Sequence, residues 1–129
     1  ELKKKTKSTF SDDTFIKLFI NYPKELLHKK IKERVKKMFD DGAIKEVEKF
    51  LKMNIYRELS SNKIIGIKEI KNYLKDKSTL IETMELIEQK TRQYAKRQFT
   101  WARGHMKSWE VIYSTNINDL FKIAINKIS

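Results

Sequence analysis

Residues 89–104 read "QKTRQYAKRQFTWARG", with five cations (Lys90, Arg92, Lys96, Arg97, Arg103), three aromatics (Tyr94, Phe99, Trp101) and no acid. Guanidinium and ammonium groups bind phosphates, and flat rings stack on bases. Residues of these types in one short stretch therefore point to a polyanion, with nucleic acid or a diphosphate as candidates. No carboxylate occurs between Glu88 and Glu110 to neutralise the row. Ordinary solvated helix faces mix signs through i,i+4 pairs. Wound at 100° per residue, residues 79–104 separate into two faces. Leu80, Met84, Ile87, Tyr94, Ala95, Trp101 and Ala102 fall on one side. Arg92, Lys96 and Arg103 stack on the other at spacings of four and seven, a row suited to phosphate contact. Gln98 interrupts the apolar side. A buried carboxamide left unpaired costs about 1–3 kcal/mol, so Gln98 is expected either to pair with the backbone of a neighbouring loop or to face a cavity and bind a ligand. Spacing does not choose between these. Tyr94 and Trp101, one heptad apart, read as core, whereas Phe99 at the boundary is placed to stack on a base or a cation.

The whole composition leans the same way. The 129 residues carry a formal net charge of +12, which favours an anionic partner. A 40% apolar content supports one modest core, and the absence of cysteine excludes disulfides, thiolate chemistry and cysteine-based zinc sites. No apolar run approaches the ~20 residues of a membrane span, and no signal peptide is visible. A cytoplasmic location and no membrane partner are the expectation. His28 and His105 read as surface or core residues without a chemical role.

Residues 1–13 read as a linker or loop, and 14–129 as a single unit. "TFIKLFI" predicts a strand over 14–20, apolar enough to be buried on both faces as in a parallel sheet. No second convincing central strand is found to pair with it. Helices are expected over about 24–41, with Pro23 at the entry and Gly42 as a left-handed cap, and over 43–53. Residues 54–63 are less regular. A third helix over 64–75 is entered through Gly66. The longest, over 79–104, opens with a capping box of Thr79 and Glu82. "SWEVIYS" reads as a short extended segment, and Asp119 as the cap of a last helix over 118–128. The fold class is mainly α, with one orphan strand.

The long helix resembles the signature of the tRNA dimethylallyltransferases (tRNA isopentenyltransferases), T-R-x-x-A-K-R-Q-x-T-W-x-R. "IIGIKEIKNYL" resembles the family's Gly-Tyr-Arg-Glu segment, and "KELLHKKIKERVKKMFDDGAIKEV" the helix pair before it. Order and spacing agree from about Phe15 to Trp109. The resemblance implies transfer of a dimethylallyl group from dimethylallyl diphosphate to the exocyclic amine of an adenosine beside the tRNA anticodon, with the base drawn into a channel. It implies a P-loop-type nucleotide-binding core with a parallel sheet, of which this chain is the C-terminal part. "FIKLFI" would be the last strand, orphaned because its neighbours belong to the missing N-terminal half. Mg²⁺ is implied for the whole enzyme, with none held by this chain alone; tRNA (its anticodon stem-loop) and dimethylallyl diphosphate are the implied partners.

Departures set limits. The phosphate loop needs G-x-x-x-x-G-K-[ST], and the only glycines are Gly42, Gly66 and Gly104. The family's catalytic aspartate is absent too, so no catalytic residue is assigned here and the chain alone is expected to be inactive. By resemblance Gly66, Lys68, Arg97 and Gln98 bind diphosphate or substrate. Arg92, Lys96, Phe99, Thr100, Trp101 and Arg103 bind tRNA or line the channel. Lys68 stands where the family has Arg, and Ile67 where it has Tyr. Lys68 keeps the charge of that Arg but loses the bidentate fork. Two other readings fit the residues: a basic helical RNA-binding module without catalysis, and a helical interaction domain whose exposed strand seeks a partner chain.

Overall fold

In a computed structural model the protein is described at residues 9, 11, 14–53, 63–113 and 115–129. The expected linker over 1–13, and the irregular stretch after residue 53, lie almost wholly outside these. The chain forms two compact units, one of Lys24–His105 and one of Glu1–Pro23 with Met106–Ser129.

The larger unit is all helical. α1 (Lys24–Asp40) places Leu27, Ile31, Val35 and Met38 on one stripe, and Ile31 and Val35 are buried. Gly42, at φ 101°, takes the left-handed turn that separates α1 from α2 (Ala43–Lys52). α3 (Ile67–Leu74) begins later than the sequence suggests, because Gly66 at φ 110° and ψ −37° breaks the helical path before it. α4 (Leu80–His105) is the long helix. Its capping box is formed as the sequence predicts: Thr79 N–H donates to Glu82 Oε2 at 2.8 Å, and Glu82 N–H to Thr79 Oγ1 at 3.2 Å. The Thr79 N–H, with the Thr79 hydroxyl beside it, holds the Glu82 carboxyl below its ordinary pKa. The core joins Ile31, Val35, Ala43, Val47, Ile70 and Ile87, one contribution or more from each of the four helices.

The smaller unit corrects the sequence reading. β1 (Leu18–Asn21) is not an orphan: β2 (Glu110–Tyr113) pairs with it in parallel, Leu18 opposite Glu110 and Asn21 opposite Tyr113. The partner is the segment read only as extended. Four residues were too few to announce a strand, although Val111, Ile112 and Tyr113 favour one. β1 also starts later than residue 14, since Thr14 N–H turns back to Ser11 O at 3.0 Å. Burial on both faces is not seen, Ile20 being 55% exposed. α5 (Ile117–Ile128) buries Leu120, and its cap is Asn116, whose side chain accepts from Asn118 N–H at 2.8 Å; Asp119 lies inside the first turn.

Candidate functional site

The candidate residues sit on α4 and on the turn that enters α3. The buried stripe of α4 runs through Thr83 and Ile87, with Thr91 and Ala95 partly covered. Beyond Ala95 only Ala102 is buried. The 26-residue helix is about 39 Å long, against about 26 Å for the 17 residues of α1. Its apolar face therefore continues past the helices that cover it. Tyr94 and Trp101, expected in the core, lie on this continuation and are 52% and 55% exposed. Gln98 lies there as well and is exposed, not buried. The wheel placed these residues on the right side of the helix, but a face is buried only where something packs on it.

The opposite side carries Arg92, Lys96 and Arg103, and Arg97 lies on the flank. All four are exposed, and no carboxylate among the described residues pairs with them. Arg103 instead lies 5.7 Å from the centroid of the Phe99 ring, so the cation expected near Phe99 is Arg103. Thr100 Oγ1 donates to Lys96 O at 3.0 Å. Trp101 stacks on His105, with ring centroids 4.3 Å apart and 12° between planes, and His105 Nδ1 lies 2.8 Å from Trp101 O.

Arg97 borders two of the hollows along α4. One, about 560 Å³, has a floor of Ile31, Val35, Met38 and Ile87 and three cations around it, Arg34, Lys63 and Arg97, with Thr91 and Tyr94 in its wall. An apolar floor ringed by positive charge suits a ligand with an anionic head and a short hydrocarbon tail. Arg34 and Lys63 were not singled out in the sequence, because they come to Arg97 from separate elements. The other hollow, about 590 Å³ and shallow, is lined by Gln93, Lys96, Arg97, Thr100 and Trp101. Arg97 belongs to both. Lys68 and Gln98 line neither hollow.

The turn into α3 is locked. Gly66 N–H donates to Glu69 Oε2 at 2.8 Å, and Lys90 of α4 pairs with Glu69 Oε1. Glu69 is 3% exposed. Burial pushes its carboxyl up, but the Lys90 ammonium and the N–H groups of Gly66 and Glu69 outweigh this and hold it below the ordinary value. The pair fixes Gly66 against α4 and leaves Lys68 exposed beside it. The sequence reading passed over Glu69, although an acid three residues after a helix-entry residue is the signal of a capping box.

No group of three or more His, Cys, Asp or Glu converges among the described residues. No described helix is long and apolar enough to cross a membrane.

The model of the IPP transferase family matches residues 1–105, which is most of the chain. The chain belongs to the IPP transferase family. The tRNA dimethylallyltransferase of Pelagibacter ubique is 55% identical over 105 residues, covering 81% of this chain and 34% of that protein. That of Wolbachia pipientis wMel is 43% identical over 101 residues, covering 78% of this chain and 34% of that protein. The chain thus spans about a third of the length of these curated relatives. The full-length tRNA isopentenylpyrophosphate transferase of Bacillus halodurans superposes with a TM-score of 0.74 at 28% identity, over 99% of this chain and 43% of that one. The corresponding transferase of Staphylococcus epidermidis gives a TM-score of 0.70 at 28% identity, over 88% and 38%. The match is to the C-terminal portion of the IPP transferases. The mainly helical architecture with a small parallel sheet is accordingly part of a P-loop-type fold.

Proposed function

We propose that this chain supplies the C-terminal portion of a cytoplasmic tRNA-modifying prenyltransferase. The enzyme would move a dimethylallyl group from its diphosphate to the exocyclic amine of an adenosine beside the tRNA anticodon. The observation that carries the reading is the charge of α4: four exposed cations, Arg92, Lys96, Arg97 and Arg103, without a carboxylate partner among the described residues. Unneutralised cations cost self-repulsion, which a bound polyanion relieves. The family's signature falls on the same residues.

Within this reading the chain does two things. Arg92, Lys96 and Arg103 meet the RNA backbone, with Phe99, Thr100 and Trp101 beside them. Arg97 faces the apolar-floored hollow with Arg34 and Lys63, where positive charge stabilises a departing diphosphate. Lys68, beside Gly66, adds one more cation, and Gln98 contributes a free amide on the bare face of α4. The general base and the backbone cradle for the diphosphate come from residues outside these 129, in the N-terminal half of the same enzyme. Mg²⁺ belongs with that half.

The test has two arms. Binding of an anticodon stem-loop is measured against salt for the unaltered chain and for the Arg92→Ala/Lys96→Ala/Arg103→Ala variant. Each lost phosphate contact lowers the slope of log K against log salt by about 0.7–0.9, so the triple variant's slope falls by about 2–3. An unchanged slope removes the phosphate role. The second arm assays dimethylallyl transfer by the 129-residue chain alone; any turnover overturns the division of labour proposed here.

A further inference from the structure

The shallow hollow on α4 has a construction that the charge row does not explain. Its five lining residues, Gln93, Lys96, Arg97, Thr100 and Trp101, all come from one helix and all precede or include Trp101. His105 follows Trp101 by one turn and is stacked on it, with the rings 4.3 Å apart. One face of the indole is therefore covered by imidazole, while the ring also borders the hollow. His105 Nδ1 also lies 2.8 Å from the Trp101 carbonyl, which holds the imidazole over that turn. A flat aromatic face open to solvent is what a nucleobase stacks upon.

The other residues of the hollow complete a nucleotide's needs. Lys96 and Arg97 are exposed cations without a carboxylate partner among the described residues, in reach of a phosphate. Thr100 spends its hydroxyl proton on Lys96 O, so its oxygen is left to accept. Gln93 offers both a donor and an acceptor for a base edge. No carboxylate is among its five lining residues.

We propose that Trp101, backed by His105 as a positioning residue, is a stacking platform for one unpaired, non-reacting nucleotide of the RNA, whose phosphate is met by Lys96 and Arg97. The proposal rests on the RNA-binding part of the function proposed above and adds to it a base contact and a role for His105. The nucleotide must be single-stranded, since a paired base keeps its faces for its neighbours in the helix.

The experiment uses the Trp109→Phe chain, in which Trp101 is the only tryptophan. Its fluorescence is titrated with a short oligoadenylate and with the same strand made abasic. Should Trp109→Phe reduce helical circular dichroism, the difference between the unaltered chain and its Trp101→Phe variant gives the same signal. The oligoadenylate is expected to quench Trp101 and the abasic strand to leave it bright. Trp101→Ala is expected to weaken oligoadenylate binding about tenfold while leaving its salt slope unchanged. His105→Ala weakens it about threefold, and His105→Phe restores it. Equal quenching by both strands, or equal affinity of the unaltered and Trp101→Ala chains, overturns the stacking site but leaves the charge row standing. If the unaltered chain binds neither RNA strand nor an anticodon stem-loop, the function proposed above falls with it.

Discussion

The two halves of α4 are continuous helix with opposite characters. From Leu80 to Gln89 the helix is acidic on its solvent side and capped at its start by Thr79 and Glu82, and it sends Thr83 and Ile87 into the core. From Arg92 onward it is basic and mostly bare. Macrodipole considerations favour acids at the start of a helix and cations at its end. That effect fades within a turn, so it accounts for Arg103 but not for Arg92 or Lys96. Lys90 marks the joint, where the first cation of the stretch is spent on buried Glu69. The difference teaches where to look for each property: the first half holds the unit together, and the second is free to bind.

The sharpest way to break that division is to cut equivalent faces of the two halves. Ile87 is 2% exposed, part of the core and of the floor of the apolar hollow. Ile87→Ala removes buried methylenes and leaves a void, at a cost of about 3 kcal/mol. Denaturant unfolding followed by helical circular dichroism should show the midpoint fall accordingly. A loss below about 1 kcal/mol would mean that the first half anchors less than its burial says.

The joint comes next in size. In Glu69→Gln the amide still accepts from Gly66 N–H, but Lys90 loses its counter-charge. Lys90 is 38% exposed and can turn to water, so the loss is about 1–2 kcal/mol and not the full cost of a stranded buried charge. The effect carries a pH signature. The Glu69 carboxyl titrates below its ordinary value in the folded chain. Its stabilisation is therefore complete above the unfolded-state carboxylate pKa and disappears as pH falls through the lower, folded value. Unfolding midpoints of the two chains should differ at neutral pH and converge in acid. A gap that stays constant with pH would show that Glu69 acts by shape and not by charge.

What could be read in the sequence followed the reach of its signals. Periodicity and caps are local, so the helices, the turn at Gly42 and the Thr79–Glu82 box were visible. The cation row was visible because spacings of four and seven within one helix need no partner. The pairings between distant segments were not visible. β2 begins 89 positions after β1 ends, and its four residues carry no periodic pattern long enough to recognise. Glu69 meets Lys90 from 21 positions away. Arg34, Lys63 and Arg97 come together only once α1 and α4 pack. Tyr94, Gln98 and Trp101 failed for another reason: the wheel gives a direction, and burial depends on whether another element lies in that direction.

The smallest expected effect decides whether the second half of α4 is free. Trp101 is among the largest side chains of the protein, and on a wheel it belongs to the same face as Ile87. Were it core, Trp101→Ala would cost about 3–5 kcal/mol. At 55% exposure, with His105 as its one stacking partner among the described rings, it should cost no more than about 0.5–1 kcal/mol. The unfolding midpoint of Trp101→Ala should thus lie near that of the unaltered chain, in contrast to Ile87→Ala on the same face. A large loss would place Trp101 inside a packed structure and remove both its stacking role and the contrast between the halves. A small one, together with weakened RNA binding, would separate what holds α4 in place from what α4 holds.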